Sequence, residues 1–385
     1  MLAPRIGVLC LLLVLPLHGL TATELTRVVP LFTIAHEPPA IAGADHGGIL
    51  FTDTHAFFGT DGGLFRAALP LGSSQPALVA FESTPIIGLA WSGSALYVAP
   101  DIDQARDGGQ ATHTLLRSID DGATWTPIDD QLEECIGSFC KRLISSQLEF
   151  VDGRLFANAG GNVLASADDG ANWSILFGAS STGKPQGQAC YDPTFTFVGR
   201  RLLLGGECPL DSAYLRTGTL RPDLLAWETE PETAITPFLE NRNVQFIRPR
   251  NMSDTVFTGI EGALLRSDDA GASYRFVLHY ELDAPKYPYI TQLVFPTAHP
   301  AAIVIGGFDK ANGGPFLAVS LDDGMTWRDD SLLLPGIGDE SWSVVELVES
   351  PDGRIIIAVE DDTHGALHVS ELQLTHRSRR RAAGH

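Results

Sequence analysis

Ser118-Ile119-Asp120-Asp121-Gly122-Ala123-Thr124-Trp125 decides how the rest of the chain is read. Small polar residues, an aspartate pair and a glycine spell a tight turn. An Asp side chain accepts backbone N–H groups that a turn leaves unpaired, and Gly takes a positive φ at no steric cost. The closing Trp can then pack beneath the turn. The pattern S-x-D-x-G-x-x-[WY] returns three times: Ser166, Asp168, Gly170 and Trp173; Ser267, Asp269, Gly271 and Tyr274; Ser320, Asp322, Gly324 and Trp327. Four copies in register make a repeat.

The four serines are 48, 101 and 53 residues apart, so the long gap predicts a degenerate copy. Ala213-Tyr214-Leu215-Arg216-Thr217 fills it, with Thr217 in the serine's place. Gly63-Leu64-Phe65-Arg66-Ala67 and Ala366-Leu367-His368-Val369-Ser370 extend the series to both ends. Seven units of about fifty residues suit a β-propeller, whose four-stranded blades take roughly 40–50 residues each. One unit reads as Leu148–Val151, an Asp152-Gly153 turn, Arg154–Ala157, Asn162–Ser166, the repeated turn, and Trp173–Leu176. Short apolar runs broken by Gly and Asp turns are strand signals. The last unit lacks a fourth strand, and Thr26–Phe32 is a strand without a unit. The expectation is an all-β, seven-bladed propeller of four-stranded antiparallel blades, closed by the N-terminal strand so that no edge is left open.

The repeated turn resembles the Asp-box, or BNR repeat, of the sialidase superfamily. In repeat style it is closest to family 74 xyloglucanases and photosystem II assembly factors. The resemblance implies that the boxes lie at the blade periphery and build the fold, away from the axial site. Sialidases use three arginines, a Tyr–Glu nucleophile pair and an acid/base carboxylate, with one arginine in a Phe/Tyr-Arg-Ile-Pro motif ahead of the first box. No such motif stands there; Phe246-Ile247-Arg248-Pro249 has its letters reordered, and reads as a strand and turn like Leu293-Val294-Phe295-Pro296. Family 74 enzymes cut glycan between two propellers, and this chain holds one. The photosystem factors carry a basic patch.

This chain is acidic, with 26 Lys and Arg against 47 Asp and Glu, a net −21. That excludes a general nucleic-acid binder, whose affinity comes largely from neutralising phosphates, and it argues against anionic lipid. Residues 1–22 read as a secretory signal, with Arg5 ahead of a 12-residue apolar run, Ile6–Leu17, and Leu20-Thr21-Ala22 as the cleavage site. The run is shorter than the roughly 20 residues that span a bilayer. A secreted or periplasmic protein, monomeric and without membrane insertion, is expected. Residues 23–375 make the propeller, and 376–385, with Arg377, Arg379, Arg380 and Arg381, a basic disordered tail. An even set of cysteines in an exported chain favours disulfides. Of the three pairings open to Cys135, Cys140, Cys190 and Cys208, the preferred one is 135–140 with 190–208.

If strands run from axis to rim, the second-to-third and blade-to-blade connections share one face, and these carry the length: 101–112, 129–143, 177–192, 228–243, 281–289, 309–314 and 328–341. Loops on a rigid scaffold carry binding residues. The face is acidic, through Asp101, Asp103, Asp107, Asp129, Asp130, Glu133, Glu134, Glu228, Glu230, Glu232, Asp339 and Glu340. It reads as a solvated surface, a seat for a basic partner, or a Ca²⁺ site on Asp101 and Asp103 or on Asp361 and Asp362. No cofactor is required, and no metal centre is assigned. At the mouth of the ring the strand starts place Arg142, Tyr191, Asp192, Arg242, Asn243, Tyr287, Tyr289 and Trp342. Such aromatics, carboxylates and arginines suit a sugar, or cover strand ends. The expected function is a non-catalytic binding or scaffold protein for a glycan or protein ligand; the alternative is a glycoside hydrolase, for which catalytic residues are not assigned.

Overall fold

The computed structural model of the chain describes residues 25–35, 48–102, 109, 111–129, 144–159, 162–177, 191–208, 212–233, 242–250 and 253–375. They form seven four-stranded antiparallel sheets. Blade 1 comprises β2 (Gly48–Phe51), β3 (His55–Thr60), β4 (Gly63–Ala68) and β5 (Ala77–Ala80). Blade 2 is β6 (Ile86–Trp91), β7 (Leu96–Pro100), β8 (Leu116–Ser118) and β9 (Thr126–Pro127). Blade 3 has β10 (Ile144–Val151), β11 (Arg154–Ala159), β12 (Asn162–Ser166) and β13 (Ser174–Phe177). Blade 4 has β14 (Tyr191–Val198), β15 (Arg201–Cys208), β16 (Ser212–Leu220) and β17 (Trp227–Thr233). Blade 5 runs through β18 (Val244–Pro249), β19 (Val256–Ile260), β20 (Ala263–Ser267) and β21 (Arg275–His279). Blade 6 runs through β22 (Pro288–Val294), β23 (Ile303–Asp309), β24 (Pro315–Ser320) and β25 (Arg328–Asp329). Blade 7 takes β26 (Trp342–Glu349), β27 (Ile355–Asp361) and β28 (Ala366–Thr375), and completes itself with β1 (Leu25–Ala35). β1 lies antiparallel to β28, from Leu25 opposite Thr375 to Ala35 opposite Ala366. The expected closing strand is therefore in place.

Seven apolar clusters fill the ring, one at each seam between neighbouring blades. A blade is covered on both faces, so its middle strands are continuous apolar runs in which alternate residues serve opposite neighbours. In β27, Ile355, Ile357 and Val359 pack towards blade 6, while Ile356 and Ala358 pack towards blade 1. This is why the second strands carry little polar alternation.

The repeated turns share one hydrogen-bond net. Ser118 Oγ donates to Asp120 Oδ1 (2.8 Å) and accepts Gly122 N–H (2.9 Å). Asp120 Oδ1 also accepts Thr124 N–H (2.8 Å), and Oδ2 accepts the Thr124 hydroxyl (2.6 Å). The turns at Ser166, Ser267 and Ser320 repeat these contacts, with Asn172, Ser273 and Thr326 in the threonine's role. The glycines have positive φ (Gly122 81°, Gly170 92°), and so do the residues before them, Asp121, Asp169, Ala270 and Asp323. Hydrogen bonds from the Thr124 hydroxyl and amide hold Asp120 down at a pKa of about 2. These carboxylates are committed to the turns.

The aromatic that closes a turn also reaches the preceding blade. Trp327 Nε1 donates to Val277 O of β21 (3.0 Å), and Trp173 Nε1 to Ile128 O just beyond β9 (3.5 Å). Blade 4 lacks the box, yet Trp227 Nε1 donates to Leu176 O of β13 in the same manner. Arginines tie the same seams. Arg66 donates to Asp121 O (2.7 Å), Arg154 to Asp223 O (3.1 Å), Arg201 to Ala270 O (3.1 Å), Arg266 to Asp323 O (3.2 Å) and Arg354 to Leu71 O (3.2 Å). Arg117 pairs with Asp169 at 3.0 Å. Each crosses from one blade to a turn of the next.

Candidate functional site

Antiparallel pairing puts the box turns and the first-to-second turns on one face of the ring, and the remaining connections on the other, as the strand order demands. Four of the eight mouth residues read from the sequence meet between blades 5 and 6. Arg242, only 9% exposed, precedes β18. Its Nη1 donates to Glu261 O (3.3 Å), and its Nη2 lies 3.2 Å from His279 Nε2. The Tyr287 hydroxyl donates to the same carbonyl at 3.5 Å. Tyr287 and Tyr289 cross edge to face with centroids 6.0 Å apart, and Tyr289 meets Phe308 likewise at 6.3 Å. The Lys310 ammonium stands 5.6 Å from the Tyr289 ring centroid. A β-bridge between Glu261 and Tyr289 stitches the second-to-third turn of blade 5 onto β22. Burial raises the pKa of both tyrosine hydroxyls. At Tyr289 the nearby Glu261 charge adds to the rise. Asn243 is half-buried beside Arg242.

Trp342 does not join them. It belongs to blade 7, where it stacks on His368 at 5.0 Å and 18°. It lies so close over Gly336 that a Cβ there would meet its ring at 2.2 Å. Tyr191 and Asp192 open β14, with only their backbone described, and Arg142 lies outside the described residues. Cys135, Cys140 and Cys190 also lie outside them; Cys208 ends β15. The 1–22 and 376–385 segments lie outside as well.

Two expectations about the acidic face are corrected. Glu228, Glu230 and Glu232 belong to the outer strand β17, not to a connection, because an outer strand tolerates polar residues that an inner one would bury. Asp129 is buried and accepts from Thr114 N–H (2.8 Å), the Thr114 hydroxyl (3.1 Å) and the His113 ring (2.9 Å), so it braces a loop instead of facing solvent. At the Ca²⁺ candidate Asp361, the carboxylate takes the His364 N–H (3.1 Å) and ring (2.7 Å). Among the described residues no group of three or more His, Cys, Asp or Glu side chains gathers as a metal site.

Sequence reasoning missed a polar belt around the central channel. Glu149, Arg248 and Glu346 lie opposite Phe156, Phe257 and Ala358. Each of those faces the residue just before Ser166, Ser267 or Ser370. The three are thus register equivalents on the innermost strands of blades 3, 5 and 7. Gln147 donates to Glu149 Oε1 (2.6 Å) and Phe195 O (2.6 Å), and its Oε1 accepts Phe195 N–H (3.0 Å), so it links blades 3 and 4. Glu346 accepts Ile49 N–H (3.3 Å) and links blade 7 to blade 1. Burial pushes the Glu149 carboxyl up to about 7, against the Gln147 hydrogen bond and the Arg248 charge, and burial raises Glu346 as well. The only sequence signal was a charged residue within an apolar first strand.

No protein-family model and no curated protein matches the chain. Solved structures do. The extracellular domain of a putative one component system from B. thetaiotaomicron shares 12% identity at a TM-score of 0.57; 88% of this chain matches, spanning 40% of that one. A chain in a crystal structure of a Mitotic Checkpoint Complex shares 15% identity at a TM-score of 0.60, over 96% of this chain and 99% of that one. At these identities the likeness is one of fold: the chain is a seven-bladed β-propeller whose structural neighbours include extracellular domains. No helix among the described residues is long and apolar enough to cross a membrane.

Proposed function

We propose that this chain is an exported, non-catalytic binding propeller of the Asp-box type, which seats a glycan at the mouth between blades 5 and 6. One observation carries the reading: the half-buried Tyr289 ring stands between Lys310, the Glu261 carboxylate and Tyr287. An aromatic surface ringed by a cation and a carboxylate offers stacking together with hydrogen bonds of both kinds, the combination a sugar uses. Arg242 is tied to Glu261 O and the His279 ring, so it holds the platform and is a poor mobile clamp. The neighbouring extracellular domain belongs to a putative one component system, which suits a role in recognition.

The Glu261 carboxylate beside Tyr289 favours a second reading. A tyrosine against a carboxylate is also the nucleophile pair of a sialidase-like hydrolase, with Glu261 withdrawing the phenol proton. A glycan array and a panel of fluorogenic glycosides separate the two. A binder retains glycans without turnover, and Tyr289→Ala weakens retention by about tenfold or more. Turnover abolished by Tyr289→Phe and by Glu261→Gln would overturn the binding reading. Absence of both retention and turnover would remove the glycan.

A further inference from the structure

Four of the large apolar side chains left in solvent stand on one part of the ring. Leu332 is 85% exposed, Leu282 69%, Ile337 46% and Leu333 43%. All four stand on the two blade-to-blade connections that flank blade 6, on the face opposite the box turns. These connections are fastened to each other. Lys286 reaches Asp329 and the Ser331 hydroxyl. Asn312 Nδ2 donates to Pro285 O (2.6 Å), and Gly338 N–H to Gly313 O (3.3 Å). Ser331 Oγ accepts Leu317 N–H (3.0 Å) and Leu334 is buried, so the short 3-10 turn Ser331–Leu333 is pinned with Leu332 and Leu333 outward. A rigid backbone presenting solvated leucines is preorganised for a partner, because little ordering entropy remains to be lost on contact.

The rim selects the partner. Glu281, Asp283, Asp339 and Glu340 are exposed around the apolar residues, while Lys286 is already paired with Asp329. A second copy of this chain would bring like charges together, and an anionic lipid surface would be repelled in the same way. We propose that this platform docks a protein segment whose leucine-like anchors are flanked by lysine or arginine. The segment's apolar residues cover Leu282, Leu332, Leu333 and Ile337, and its cations meet the acidic rim. The surface adjoins the Tyr289 mouth but does not depend on it.

The test uses the full chain and a short fluorescein-labelled peptide, a run of leucines with lysines on both sides, read by fluorescence anisotropy. Leu332→Asp with Leu333→Asp should weaken binding by about tenfold or more, and added salt should weaken it further. Ile119→Asp with Met325→Asp, equally exposed on the box face, and Tyr289→Ala should leave it unchanged. An unchanged melting temperature shows that the leucine variant is folded. The proposal is overturned if the peptide fails to bind, if both aspartate pairs weaken it equally, or if glutamate in place of lysine binds as well. A dimer in sedimentation that the leucine variant dissolves would overturn it in favour of a second copy. Loss of glycan retention in Tyr289→Ala with peptide binding intact separates this platform from the glycan seat.

Discussion

At the scale of single residues, the chain sorts its carboxylates into two kinds. Those of the repeated turns are acidified by the hydroxyls and amides they accept, as Asp120 is by Thr124. That use was legible, because every contact lies within five residues of sequence. Glu149 is the opposite kind. Burial raises its carboxyl from 4.5 to about 7, so the ring prefers it neutral. A raised carboxyl contributes stability below its unfolded pKa, and that contribution is lost as pH climbs through the folded value. Stability should therefore fall between pH 4.5 and about 7 from this group. Glu149→Gln keeps the side chain neutral and should flatten that decline, which denaturant unfolding at several pH values will show. A decline of the same slope in the variant would assign it to other groups. Nothing in Leu148-Glu149-Phe150 announces this behaviour, since the desolvation comes from strands far away in the chain.

Between elements, the seams do the work. Each apolar cluster joins two blades, and the tryptophan and arginine cross-ties run along the box side of the seams. Trp327 donates to Val277 O, and Arg266 to Asp323 O. The tryptophan was legible as packing beneath its own turn, but its hydrogen bond to the previous blade was not, because β21 was an independent strand in the sequence. Trp327→Phe keeps the ring packing and removes the donor, leaving Val277 O without it. A loss of about 1–2 kcal/mol in denaturant unfolding is expected, the size of one part-buried hydrogen bond. Trp227 performs the same task in blade 4, where the turn motif itself has disappeared. The seam tie outlasts the turn chemistry there, which explains how the degenerate unit still finds its place. Outer strands are the least legible elements. β17 is polar enough to pass for a loop, because one of its edges needs no partner blade.

For the whole molecule, closure is the deciding event. β1 meets β28 along its full length, and its Phe32 and Ile34 enter the cluster shared by blades 7 and 1. Deleting residues 25–35 should leave β28 with an open edge and that seam unfilled, and so yield aggregated or molten protein on size-exclusion chromatography. A monomeric variant with unchanged melting would show that the ring closes without it. The repeat count, the positions of the box turns, the inner strands and the need for a closing strand were determined by the sequence by itself, since they rest on local hydrogen bonding and on short apolar periodicity. Only the tertiary structure decided which residues meet. Arg242, Glu261, His279, Tyr289 and Lys310 come together across two blades, and Glu149, Arg248 and Glu346 come to one level from blades two apart. Local patterning sets how each blade is built; the angle and closure of the ring set what its blades bring into contact.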